Sequence, residues 1–318
     1  MNINYIVLVH KNPYQIRSII TKLNHKDTWF YVHVDQKTNI APFQALLQEI
    51  PNVTLIPDEL REICNWGGIG VVKACLAIFR MIIDNGREGY AVLLSGQDYP
   101  IKSNTYIAEY FKKHSGTDFI TCFSLPSSNW SFEGMNRLSH YKIDLSNKRG
   151  DFIQLPSIWS KEFYNFQSFK KLLKLTLSKK GRYLSKLLRK KKFPSYIKPY
   201  GGDTWWALST NTIDKILQFL EIHPDLLNFM AFSNLPDEMI FQSIVIELYG
   251  EDYKNIKNSV TYSNWSGLDK SSPEIFTPEG LGKIKSISPD ILFARKFDLE
   301  KHPNIYELVE NTTSELKE

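Results

Sequence analysis

The 318-residue chain is 42% hydrophobic and 13% aromatic, enough for a sizeable core in one large α/β domain or two average ones, and unlike a disordered or fibrous protein. Its formal charge of +5 is local: residues 170–198 hold 12 Lys or Arg and no Asp or Glu, and the remainder carries 27 basic against 34 acidic side chains, a balance of −7. Nucleic acid is therefore not expected as a partner, and three cysteines (Cys64, Cys75 and Cys122) without metal-ligand spacing argue against a disulfide framework.

From the N-terminus two periods alternate. Tyr5–Val9 reads as a buried strand, Pro13–Leu23 as a helix, Trp29–Val34 as a strand, Pro42–Ile50 as a helix and Val53–Ile56 as a third strand. A long helix follows over Ile69–Ile83, then a strand over Tyr90–Leu94. This βαβ rhythm predicts a mainly parallel sheet with helices on both faces, because parallel strands need crossovers that cover them. From 125 to 200 the pattern loosens, and the basic segment reads as an insertion. Regularity returns with a strand over Thr204–Ser209, a helix over Thr212–Glu221, a helix over Asp237–Tyr249 introduced by Pro236, and an extended segment over Ile291–Phe297. No signal segment and no run long enough to span a bilayer occurs, so a cytoplasmic location is expected.

In such sheets ligands bind beyond the carboxyl ends of the strands. The loops there read His10-Lys11-Asn12, Asp35-Gln36-Lys37 and Ser95-Gly96-Gln97-Asp98, three polar loops leaving apolar strands, as a nucleotide-sugar cleft would require. Strand ends are polar in any such sheet, so position alone leaves the choice open. Trp66-Gly67-Gly68 and Gly201-Gly202-Asp203-Thr204-Trp205-Trp206 set indoles beside permissive glycines. That chemistry suits sugar stacking, with Asp203 accepting from hydroxyls, or else a tight turn with a core tryptophan.

Sugar transfer with inversion needs a base for the acceptor proton and positive charge for the departing diphosphate. No Asp-X-Asp pair occurs, the nearest variant being Asp298-Leu299-Glu300, and no His and Cys cluster marks a metal site. Arg295-Lys296, bracketed by Phe293 and Phe297, is the candidate cation pair, and Glu238 after Leu235-Pro236-Asp237 is the candidate base. An exposed basic pair and a helix-capping carboxylate are the ordinary alternatives.

Taken in order, Tyr31-Val32-His33-Val34-Asp35, Trp66-Gly67-Gly68, Leu94 to Lys102, Gly201 to Leu208, Leu235-Pro236-Asp237-Glu238 and Leu292 to Phe297 resemble the motifs of one enzyme family. This is the core-2/I-branching β-1,6-N-acetylglucosaminyltransferase family, which also contains the peptide O-xylosyltransferases. The resemblance implies a GT-A-like, Rossmann-type nucleotide-sugar fold in a single domain: a nucleotide-sugar-binding half over 1–124, the insertion over 125–200, and an acceptor and catalytic half over 201–318. It further implies a UDP-sugar donor (GlcNAc or xylose), inversion, and neither a metal nor another cofactor. Glu238 falls on the family's base, and Arg295 with Lys296 on the segment that holds the diphosphate. Asp35 and Lys37 match the nucleotide end, Asp98 the donor-sugar contact, and Asp203, Trp205 and Trp206 the boundary of the donor or acceptor sugar. His10, Trp66, Gly67 and Ser95 complete the expected donor site.

Trp66-Gly67-Gly68, Arg295, and Asn264-Trp265-Ser266 followed by Ser272-Pro273 lean towards the xylosyltransferase branch. The chain lacks the anchor, stem and multiple cysteines of animal members, which leads to the expectation of a bacterial relative building surface glycan on a lipid-linked or other glycan acceptor; a protein acceptor is the alternative. Leucines interleaved with Lys and Arg over 170–198 make a cationic amphipathic stretch, suited to an anionic membrane or to a solvated helix face. A glycoside hydrolase needs two carboxylates flanking a sugar, and the adjacent Asp237 and Glu238, about 100° apart on a helix, do not supply them. A non-catalytic sugar-binding protein would need neither Glu238 nor the cations.

Overall fold

The computed structural model describes residues 1–265 and 272–314. Strands β1 (Asn2–Val9), β2 (Thr28–Val34), β3 (Val53–Leu55) and β4 (Gly89–Ser95) alternate with helices α1 (Pro13–Leu23), α2 (Ala41–Leu47) and α3 (Gly70–Asp84). β1 lies parallel between β2 and β4, and β3 pairs parallel with β2. The resulting order β3-β2-β1-β4 is half of a doubly wound, Rossmann-type sheet. Beyond β4 the sheet continues with Ala207–Ser209, antiparallel to both neighbours, then Asp118–Phe119 and Ile256–Lys257, parallel to each other. The sheet is thus mainly parallel, with one reversed strand supplied by the segment expected to be a strand over 204–209.

Successive side chains of a strand face opposite sides. Along β1, Tyr5, Val7 and Val9 enter one core and Ile6 the other; along β4, Val92 and Leu94 oppose Ala91 and Leu93. Both faces are apolar, so both must be covered. α1 covers one face, and α3 with the helices Thr210–Ile222 and Ile240–Tyr249 covers the other. α1 starts where the Asn12 side chain accepts from the Gln15 N–H at 3.0 Å and Pro13 presets the first helical φ.

Immediately after β4, β5 (Asp98–Pro100) enters a separate three-stranded sheet. There Phe293–Arg295 runs between β5 and Thr261–Ser263, and the antiparallel register sets Arg295 opposite Asp98. A hairpin of His140–Asp144 and Phe152–Pro156 carries a third small core, closed by the helix Phe166–Leu177. The helix expected from Asp237 begins later: Pro236–Glu238 is a 3₁₀ turn and the α-helix runs Ile240–Tyr249. Glu238 therefore sits at a break in the backbone rather than in a regular first turn. Ser266 of the Asn264-Trp265-Ser266 motif lies outside the described residues. Among the described residues no helix is long and apolar enough to cross a membrane.

Candidate active site

The chain turns from β4 into β5 within two residues, which brings Ser95 and Asp98 together. Asp98 is fully buried. Its Oδ2 accepts from the Ser95 backbone N–H at 2.6 Å, and its Oδ1 accepts from the Ser95 hydroxyl at 3.0 Å and from Arg295 Nε at 2.8 Å. The Arg295 guanidinium lies 3.8 Å from the Trp205 ring centroid, a stacking distance. Sequence places Asp98 and Ser95 against the donor. In the structure Ser95 bonds Asp98 and Asp98 holds Arg295, because a carboxylate removed from water needs its lone pairs filled. Lys296 follows across a cis peptide bond, and its Nζ donates to the Ser272 hydroxyl at 2.6 Å. Burial and the neighbouring cations Arg295 and Arg149 bring the Lys296 amine down to about 8.

The loops after β1 and β2 share this neighbourhood. Asp35 Oδ1 accepts from the Lys37 N–H at 2.9 Å, while Lys37 Nζ lies 3.5 Å from Asp35 Oδ2 and donates to Asn65 Oδ1 at 3.0 Å. His10 is held below its ordinary value by burial first, then by Lys11, Lys37 and Lys296, against the opposing pull of Asp35. Residues from three distant parts of the chain thus sense one another. Buried Arg61 braces the β2 loop by donating to the carbonyls of Val34, Asp35 and Thr38. Asp298 and Glu300, the nearest approach to a metal-binding pair, both receive Lys11 Nζ, at 2.9 and 2.8 Å. Among the described residues no group of three or more His, Cys, Asp or Glu is gathered as a metal site.

The base candidate is built from two glycine motifs. Gly67 has φ +66°, a left-handed conformation, and its carbonyl accepts from the Leu235 N–H at 3.0 Å, so the Trp66 turn carries the loop leading into Glu238. Trp66 is itself partly exposed, packed on Phe152 with Arg149 5.7 Å from its ring centroid. On the other side the Gly202 N–H donates to the Glu238 carbonyl at 3.0 Å, and a Cβ on Gly202 would stand 1.8 Å from the Thr121 carbonyl oxygen. Only glycine permits this approach of backbones. Trp206 corrects the expectation made for it: it is 1% exposed, wedged between Phe79 and Phe241 in the core, and cannot bound a sugar. Trp205, half-buried beneath Arg295, is the member of the pair that stays at the site.

Arg137, which no sequence cue marked, donates from Nη1 to Glu238 Oε2 at 2.6 Å, and its guanidinium lies 3.5 Å from the Trp130 ring centroid. Burial lifts the Glu238 carboxyl to about 7 against the pull of Arg137, with Asp237 and Asp203 adding to the rise. Asp237 is also raised by burial, and its Oδ2 accepts from the Thr204 hydroxyl at 2.9 Å. Asp203, raised by the desolvation of its carboxyl, is drawn back by Arg295. It therefore couples electrostatically to both the base and the buried cation. A carboxyl poised near neutrality and open on one side is what proton abstraction from a hydroxyl demands. Arg149, the second cation that sequence reading missed, comes from the loop of the 140–156 hairpin, in the stretch where no hydrophobic period is legible.

The family model for the Core-2/I-Branching enzyme matches residues 3–285. The chain belongs to the Core-2/I-branching enzyme family. Xylosyltransferase 2 of Rattus norvegicus and of Homo sapiens are each 20% identical to this family member over 330 residues, covering 98% of this chain and 33% of theirs. Xylosyltransferase 1 of Pan troglodytes is 20% identical over 319 residues, 94% of this chain and 29% of its own. The Core-2/I-branching member described here thus spans about a third of the length of the curated relatives it matches. Among solved structures, mannose-1-phosphate geranyltransferase from Thermus thermophilus covers 81% of this chain and 74% of its own at 12% identity, with a TM-score of 0.31. Family membership and the curated relatives together support a glycosyltransferase.

Proposed function

We propose that this family member transfers a sugar from a UDP-sugar to an acceptor hydroxyl, with inversion and without a metal ion. One observation carries the reading: a carboxyl lifted to about 7, on Glu238, is tied through Gly202 and its neighbours to Trp205, on which Arg295 is stacked beside Lys296. In the reaction, the Glu238 oxygen that Arg137 does not engage takes the acceptor proton as the hydroxyl oxygen bonds to the anomeric carbon. The bond from that carbon to the diphosphate oxygen breaks, and its electron pair leaves with UDP. Lys296, with Arg295 fixed behind it, neutralises the charge that develops, the work a divalent ion would otherwise do. Asp35, Lys37 and His10 receive the nucleotide end, Trp66 and Gly67 close the donor side, and Trp205 with Asp203 bounds the sugar.

GlcNAc and xylose are the donor sugars of this reading. Its setting is surface-glycan synthesis on a lipid-linked acceptor, with residues 170–198 in peripheral contact with an anionic membrane. A second reading, xylosyl transfer to a protein acceptor, is favoured by the likeness to relatives named xylosyltransferases and by Arg295, one of the residues that lean towards that branch. The first test is thermal stabilisation by a panel of UDP-sugars, since a ligand that binds the folded state raises its melting point. UDP release onto candidate acceptors in excess EDTA is the second. Stabilisation by UDP-xylose or UDP-GlcNAc and turnover unaffected by EDTA are expected; a strict demand for manganese would overturn the mechanism. Stabilisation by glycans with no UDP release would point to a sugar-binding protein instead.

A further inference from the structure

The helix Phe166–Leu177 is apolar on two opposite sides. One side, through Leu172 and Leu175, packs into the core of the 140–156 hairpin. On the other side Phe166, Phe169, Leu173 and Leu177, spaced by three, four and four residues, form one stripe, and each is more than half exposed, Leu177 reaching 79%. Trp159 and Leu188, joined by the indole N–H donating to the Leu188 carbonyl at 2.7 Å, are exposed to a similar degree. Lys170 and Lys174 flank the stripe, and Lys170 Nζ stands 4.6 Å from the Phe166 ring centroid, while Lys171 Nζ turns back to donate to the Gln154 carbonyl at 3.2 Å. Of the acids nearby, Asp151 is paired with Lys174 at 3.0 Å and Glu162 faces His140 at 3.8 Å.

We propose that this face docks on an anionic lipid bilayer, with the aromatic and leucine stripe entering the headgroup region and the lysines meeting lipid phosphates. A water-soluble chain rarely leaves so continuous an apolar stripe in contact with solvent unless something covers it. The choice of occupant follows from charge. Residues 170–198 carry 12 cations and no anion, so two copies meeting face to face would set like charges against each other. A surface both anionic and apolar just beneath its charge fits the face, and an indole at its edge sits where bilayer interfaces favour tryptophan. The surface extends upstream of the basic segment to Trp159, where composition alone gives no sign of it. Docking here deepens the peripheral membrane contact proposed above, and because binding is measured without turnover, its failure is distinguishable from a failure of glycosyl transfer.

The test is cosedimentation of the purified full chain with vesicles of phosphatidylcholine alone and of phosphatidylcholine mixed with phosphatidylglycerol. Binding is expected only to the mixed vesicles and is expected to fall as salt is raised. Replacing Phe166, Phe169, Leu173 and Leu177 together by Ser should lower the bound fraction about tenfold or more, the scale of losing four inserted apolar side chains. These side chains are exposed, so the melting temperature should stay within a few degrees of the parent. Lys170→Glu with Lys174→Glu, which leaves the stripe intact, should remove the preference for phosphatidylglycerol. Equal pelleting with both vesicle types, no pelleting with either, or undiminished binding by the serine variant would each overturn the proposal. So would light scattering that shows a dimer dispersed by the serine substitutions.

Discussion

Asp98 with Arg295 and Glu238 with Arg137 are both carboxylate–arginine pairs, at 2.8 and 2.6 Å, and each guanidinium lies on a tryptophan face, Trp205 or Trp130. They differ in what else reaches the carboxylate. Asp98 is closed to solvent and also receives the Ser95 N–H and hydroxyl, so its charged form is fully met. The Glu238 side chain remains 24% exposed, and burial with two neighbouring acids outweighs its arginine and lifts it to about 7. The number of donors converging on the carboxylate, rather than the presence of an arginine, separates a structural ion pair from a group poised to exchange a proton.

The largest effect should come from breaking the closed pair. Asp98→Asn leaves Arg295 buried without a counter-charge and should lower stability by about 3–5 kcal/mol in urea titration. A loss below about 1 kcal/mol would mean that water reaches Arg295 and the two pairs are alike after all. Next, Glu238→Gln should keep UDP affinity while transfer falls roughly 10²-fold or more; comparable turnover would remove Glu238 as the base. Lys296→Met should weaken UDP binding about tenfold by calorimetry, the scale of one charge-assisted hydrogen bond, and unchanged affinity would remove Lys296 from the diphosphate site.

The smallest effect sharpens the comparison most. As a base Glu238 works deprotonated, so kcat/KM should fall as pH drops below about 7. Arg137 pulls Glu238 down, so Arg137→Met should move that acid limb to higher pH. A limb that stays put would show the arginine to be a bystander. The sign for stability is the reverse. Folded Glu238 holds its proton more tightly than the ordinary carboxyl at 4.5, so its contribution to stability is present at low pH and is lost as pH rises from about 4.5 to about 7.

β1 to β4 were legible because alternation in strands and the 3.6-residue period of helices are local signals, and boundaries shifted by only a few residues. The pairing of Asp98 with Arg295 was not, since 197 residues separate them and only the β5 register brings them opposite. Trp206 could have been read correctly: in an extended segment one of two adjacent tryptophans must turn inward, and the apolar Ala207-Leu208 that follows points to the core. Arg137 and Arg149 fall where the hydrophobic pattern is loose, so nothing local announces them. The close backbone approach that requires glycine at position 202 is invisible without the Thr121 carbonyl beside it.

The strand Phe293–Arg295 lies between β5 and Thr261–Ser263, and Phe293, Phe297, Ile305 and Val309 complete the core begun by Tyr5 and Phe30. Although the first half of the chain is synthesised first, it stays unsealed on the ribosome until residues near 310 emerge. A nascent chain stalled before that point would leave part of that apolar face uncovered, open to chaperones and to aggregation.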